Sequence, residues 1–235
     1  MMYLHMLVIV LLSPLLLIQG KWTRYKTPIL PEPTGTREGL LGEGQPLSIL
    51  IIGDSAAAGV GVQTQDDALL GQTLLRLKEE YQIRYRLHAN TGDNTADCIA
   101  KLSQIQEEKF DVVITSLGVN DLTGGCLLDE FGRRQRALVE LCKQQFGANQ
   151  IMLTGMPPVG EFPALPQPLR WCLGTRAKYF DRVILDVSEQ LNVEYLKIDL
   201  TERNDAMSLD GFHPGAPVYE EWAETVTKLI RVSDN

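Results

Sequence analysis

From residue 47 onward, short apolar runs alternate with longer stretches in which apolar side chains recur every three or four positions. Runs of the first kind fit buried strands and stretches of the second kind fit helices with one apolar face. The strands so predicted are 48–54 (SILIIGD), 84–90 (RYRLHAN), 111–118 (DVVITSLG), 150–156 (QIMLTGM) and 193–200 (VEYLKIDL). Helices are predicted near 67–80, 95–108, 127–146, 173–191 and 217–231; in the fourth, Ala177, Phe180, Ile184, Val187 and Leu191 make a single stripe. Strand and helix in strict turn give a mostly parallel sheet, and right-handed crossovers stack it as a three-layer α/β/α sandwich with five parallel strands. Ligands of such sheets bind beyond the carboxyl ends of the strands, so polar chemistry is sought in the loops there.

The chain before residue 47 has a different pattern. Residues 2–19 carry no Asp, Glu, Lys or Arg, over a length close to the roughly 20 residues that cross a bilayer. No basic residue precedes the run and no small-x-small cleavage site follows it, which fits an anchor better than a signal peptide. Lys21, Arg24 and Lys26 come next, with Trp22 and Tyr25 suited to a membrane interface. The charge bias would keep the rest of the chain in the cytoplasm, whereas a cleaved segment would export it to the periplasm or the medium. Between Thr27 and Pro46 the prolines 28, 31 and 33 and several glycines break any long element. The expected division is therefore a hydrophobic membrane segment at 1–20, a linker at 21–46 and one folded domain at 47–235.

Composition narrows the function classes. Among 235 residues, 44% are hydrophobic and 22% charged, which excludes disorder for the bulk of the chain and suits a single domain. With 22 basic against 30 acidic residues the net charge is -8, the wrong sign for a nucleic-acid partner. The four cysteines show no CxxC or Cys/His spacing, so no metal site is indicated and no cofactor is called for. Cys98 and Cys142 fall on apolar helix stripes, while Cys126 and Cys172 follow strand-end loops and are able to bridge in an oxidising compartment.

Four strand-end or late-loop elements carry the polar chemistry. The first strand stops at Gly53-Asp54-Ser55 and small residues follow, so Ser55 is either a presented nucleophile or the cap of the next helix. The G-x-S-x-G elbow of common hydrolases is absent, Ala57 standing where its last glycine would be. The second strand ends in Asn90-Thr91-Gly92-Asp93, where Gly92 permits a backbone N–H to face a cleft, or makes a plain turn. The third ends in Gly118-Val119-Asn120-Asp121, offering the amide donor of Asn120 beside a permissive glycine. Near the end of the chain, Asp210-Gly211-Phe212-His213-Pro214 sets a carboxylate three residues from an imidazole, an arrangement that fixes the tautomer of a general base. Of the three histidines, His5 lies in the N-terminal segment and His88 shares a strand face with Arg84 and Arg86, which leaves His213 as the placed base.

Together these elements supply a nucleophile, a base, an orienting acid and oxyanion donors, the parts of acyl transfer. GDS at 53–55, the glycine of NTGD at 92, GVND at 118–121 and DGFHP at 210–214, in that order, resemble the four blocks of the SGNH (GDSL) hydrolases. The resemblance spans 48–231 and implies a flavodoxin-like topology and esterase or lipase activity. It implies Ser55 as nucleophile, with its own N–H, Gly92 and Asn120 in the oxyanion hole, and His213 as base with Asp210 as its partner. Ala56, where that family commonly has leucine, is a departure bearing on substrate class. Carboxylic esters, thioesters, lysophospholipids and sugar acetyl esters all remain open as substrates, as does transfer to an alcohol. The stretch 157–171, rich in proline and apolar residues, is either a wall of an acyl pocket or a loop packed on the core. A ligand-binding domain without catalysis is the competing reading, but neither G-x-G-x-x-G nor a P-loop occurs.

Overall fold

The computed structural model describes the backbone of residues 2–198 and 207–230, and the side chains of 11–198 and 207–230. Helix α1 (Met2–Lys26) is followed by strand β1 (Glu38–Leu41), strand β2 (Gln45–Gly53) and a single turn α2 (Ser55–Ala58). Then come α3 (Leu69–Leu77), β3 (Tyr81–Ala89), α4 (Thr95–Leu102), β4 (Val112–Ser116) and the short α5 (Val119–Thr123). The chain continues through α6 (Leu128–Phe146), β5 (Gln150–Thr154), α7 (Leu169–Leu191), β6 (Glu194–Leu196) and α8 (Ala216–Leu229). The sheet order is β1-β3-β2-β4-β5-β6, with every pair parallel except β1 with β3. Without its first strand the order is the flavodoxin one, whose crevice opens between β2 and β4.

Alternation along β2 builds both layers. Leu47, Ile49 and Ile51 face α3 and α8, packing with Leu70, Leu74, Tyr219 and Trp222. Leu50 and Ile52 face the other way, toward Leu102, Leu138, Phe146 and Phe180 of α4, α6 and α7. A central strand covered on both faces has no polar side, which is why its buried stretch from Ile49 to Ile52 is an unbroken apolar run.

Three expectations are corrected. The sheet has six strands, not five, because Glu38–Leu41 of the expected linker joins its edge antiparallel to β3. All four side chains of that strand are exposed, so no buried period marks it; it is held by backbone pairing and by an ion pair from Arg86 to Glu38 at 3.0 Å. The 21–46 linker is therefore part helix and part sheet. The last strand ends at Leu196, short of Lys197 and Ile198 of the predicted run, whose final two residues, 199–200, lie outside the described residues.

The end of α1 is docked on the domain. Leu16 packs against the core, the Gln19 amide donates to the Gln167 carbonyl at 2.7 Å, and its oxygen accepts from the Leu169 N–H at 3.1 Å. Among the described residues no helix is long and apolar enough to cross a membrane; the side chains of 2–10, on which the anchor reading leans, lie outside that description.

Candidate active site

The end of β2 settles what Ser55 does locally. Asp54 caps α2, its carboxylate accepting from the Ala56 N–H at 3.0 Å, and Ser55 is the first helical residue with its hydroxyl left free of the capping duty. Gly53 is required by space, since a Cβ there would lie 2.5 Å from both the Ala57 methyl and the Ser116 carbonyl. The hydroxyl of Ser55 and Nε2 of His213 are 2.9 Å apart. Nδ1 of the same ring lies 2.6 Å from Oδ2 of Asp210.

Asp210 is itself pinned. Its Oδ1 accepts from the Ser208 hydroxyl at 2.7 Å and from the backbone N–H groups of Phe212 and His213, each at 2.9 Å. Burial opposes its charge, but the hydrogen bonds from the His213 ring, the two backbone donors and Ser208 together outweigh it and hold this carboxyl well below the usual range. An ionised Asp210 keeps the proton of His213 on Nδ1, leaving Nε2 as the acceptor facing Ser55.

Asn120 is the second residue of α5. Its Nδ2 donates to the Asp93 carbonyl at 2.9 Å and lies 3.4 Å from Oδ2 of Asp54. This ties the β4 loop to the 90–93 loop that follows β3. Gly92 stands at the exposed crest of the latter, with φ +91° and open space where a Cβ would be, so backbone conformation alone selects glycine. Asp93 anchors the same loop, both its oxygens lying 2.7 Å from the Lys101 ammonium. Of the five residues named from the sequence, Ser55, His213 and Asp210 are joined by hydrogen bonds and Asn120 lines the same cavity as Ser55 and His213, while Gly92 lies one loop away, beside the Asp93 carbonyl that Asn120 holds.

Other members of the site left little trace in the sequence. Asp54 is buried with its second oxygen toward Asn120, and burial pushes its carboxyl up to about 7. Asp121 fixes α5 from below, accepting from the Thr95 N–H (2.9 Å), the Thr95 hydroxyl (2.7 Å) and Arg134 (2.9 Å). Both aspartates follow turn-forming neighbours, and only their partners in space distinguish them from turn residues. The four cysteines are free thiols, so the possible bridge between Cys126 and Cys172 is not formed. Among the described residues no three His, Cys, Asp or Glu stand together as a metal site.

Beside Ser55 lies a cavity of about 60 Å³, walled chiefly by Leu117, Val119, Met156, Phe162 and Phe212. Sharing Met156, Pro157 and Ile198 with it is a larger groove of about 590 Å³, edged by Trp171, Lys178, Asp181 and Tyr195. The 157–171 stretch both packs on the core and lines these two cavities. Val159, Leu165 and Leu169 are buried in the core, while Phe162 also lines the cavity and Trp171, 47% exposed, edges the groove.

The profile of the family described as GDSL-like Lipase/Acylhydrolase matches residues 51–221. No curated protein matches the chain. Among solved structures, a lipase/acylhydrolase from Enterococcus faecalis is 22% identical with TM-score 0.59, covering 77% of this chain and 94% of that one. The psychrotrophic esterase EstA from Pseudoalteromonas sp. is 20% identical with TM-score 0.57, at 77% and 94% coverage. A carbohydrate acetylesterase family member from Sinorhizobium meliloti is 16% identical with TM-score 0.61, at 79% and 97% coverage. At these identities the structures share the fold.

Proposed function

Since the chain belongs to the GDSL-like lipase/acylhydrolase family, we propose that it is a serine hydrolase cleaving carboxylic esters of short to medium acyl chains through an acyl-enzyme on Ser55. The observation that carries this reading is the unbroken line from Ser55 through His213 to Asp210, at 2.9 and 2.6 Å. In it, Nε2 of His213 takes the hydroxyl proton as the Ser55 oxygen bonds to the ester carbon. The negative charge that forms on the carbonyl oxygen is met by the N–H groups of Ser55 and Gly92 and by the Asn120 amide. The proton then passes to the departing alcohol, and water, deprotonated by the same His213, releases the acid and frees the serine. An alcohol in place of water gives acyl transfer.

The size of the cavity beside Ser55, about 60 Å³, favours short acyl groups, since one water needs roughly 10–15 Å³ of such space. The groove next to it is large and mixed in character, and with an exposed indole near Lys178 and Asp181 it suits a bulky polar alcohol. O-Acetyl esters of carbohydrates are accordingly the second reading for the same residues.

The test is hydrolysis of p-nitrophenyl esters from acetyl to palmitoyl, with labelling by a fluorophosphonate probe. The expected result is turnover that declines beyond short chains, and labelling that disappears in Ser55→Ala and His213→Ala. A folded wild type that neither turns over any ester nor reacts with the probe refutes the reading in favour of a binding domain.

A further inference from the structure

The stretch between α1 and β2 does more than connect. Oε1 of Glu32 accepts from the backbone N–H of Thr91 at 3.1 Å and from the Thr91 hydroxyl at 2.6 Å. Oε2 of the same carboxylate lies 2.5 Å from Nη2 of Arg37. Nη1 of that guanidinium donates to the carbonyl of Ala89, the last residue of β3, at 3.0 Å. The Arg37 carbonyl in turn accepts from the Leu87 N–H at 2.7 Å. Burial works against the charge of Glu32, yet the Thr91 hydrogen bonds and Arg37 hold its carboxyl below the usual range. A charged pair from the N-terminal strap thus grips the chain from Leu87 to Thr91, immediately before Gly92.

The placement matters because of what glycine lacks. The N–H of Gly92 belongs to the peptide between Thr91 and Gly92, and its direction follows the backbone of Thr91. At φ +91°, with nothing packed where a side chain would be, Gly92 supplies no restraint of its own. On the far side the loop is held at Asp93 by Lys101 and by Asn120. On the near side the Asn90 N–H donates to the Gly53 carbonyl and the Asn90 carbonyl accepts from the Asp93 N–H, each at 3.2 Å, while Thr91 itself, the residue joined to the Gly92 N–H, is held by Glu32. Resting on the hydrolase reading above, we infer that Glu32, braced by Arg37, is a positioning residue that aims the Gly92 N–H at the developing oxyanion. A preset donor stabilises charge in the transition state without reorganising, and a swinging one does not.

The experiment compares full-length wild type, Ser55→Ala, Glu32→Ala, Glu32→Gln and Thr91→Val on p-nitrophenyl acetate, with kcat, KM and Tm for each. Removing an oxyanion donor costs roughly 100- to 1,000-fold, so disordering one predicts a kcat about 10- to 100-fold lower in Glu32→Ala, with KM within about threefold. Glutamine keeps an oxygen for Thr91 and should restore kcat to within about threefold of wild type, a rescue that a purely structural contribution of the charge would not give. Thr91→Val, which removes only the hydroxyl, should lower kcat by about three- to tenfold and decides the matter if Glu32→Ala does not fold. An unchanged kcat in Glu32→Ala, or in Thr91→Val where the former is unfolded, overturns the inference, as does equal loss in the alanine and glutamine variants. Equal turnover by wild type and Ser55→Ala would instead overturn the hydrolase reading and the inference with it.

Discussion

At the scale of single residues, Asn120 is the most exacting member of the site. One N–H of its amide is committed to the Asp93 carbonyl at 2.9 Å, whereas the 3.4 Å contact with Asp54 is long for a hydrogen bond. The second N–H is therefore the one available to a substrate oxygen. Asn120→Ala is expected to lower kcat by roughly 100- to 1,000-fold with a smaller change in KM, measured by steady-state hydrolysis of p-nitrophenyl acetate. A loss under tenfold would remove Asn120 from the oxyanion site. Ser55, His213 and Asp210, which the structure joins by hydrogen bonds, were legible in the chain because a hydroxyl at a strand end and a carboxylate three residues from an imidazole in a late loop are marked by their own side-chain chemistry. Asp54 and Glu32 were not, since their place beside Asn120 and Thr91 is known only from what they touch across 66 and 59 positions of sequence.

At the scale of elements, burial decides what can be read. β2, β4 and β5 are apolar runs covered on both faces and were found within a few residues of their ends. α6 and α7 showed their stripes, and the structure joins those stripes through Phe131 and Phe180, whose rings lie 4.5 Å apart in a tilted pair. α7 begins at Leu169, earlier than its stripe suggested, because its first turn follows Pro168 and packs against α1. β1 left no pattern in the sequence because it buries no side chain and pairs chiefly through its backbone, which every sequence possesses equally, with one ion pair from Arg86 added across 48 positions. The face shared by α6 and α7 should be costly to open: Phe180→Ala is expected to lose about 3–5 kcal/mol in urea unfolding. A loss below about 1 kcal/mol would mean that these two helices do not share a tightly packed seam.

At the scale of the whole molecule, two buried carboxylates pull stability in opposite directions with pH. Asp54 has an ordinary value of 3.8 but about 7 in the fold. Between those values the native chain keeps a proton that the unfolded chain has released, so this group's contribution to stability falls as pH rises from about 4 to about 7. Asp210, held low, contributes fully above the ordinary carboxylate range and loses that contribution as the solution is acidified below it. Asp54→Asn should therefore gain Tm relative to wild type on going from pH 4 to pH 8, followed by thermal denaturation at both. A difference from wild type that does not vary with pH would contradict the raised value.

The sheet order has a consequence in time. Ser55 and His213 are 158 positions apart and meet only when the loop ahead of α8 returns across the strand ends. Translation runs from Ser55 toward His213, at roughly 5–20 residues per second, so the serine waits roughly 8 to 30 seconds on the ribosome before the histidine has been made. Throughout that interval the nascent chain carries Ser55 without the imidazole that stands 2.9 Å from it in the finished fold. Since β6 ends at Leu196, every strand of the described sheet has been made before His213 is added, so the Ser55–His213 contact closes only on a chain that already holds all six.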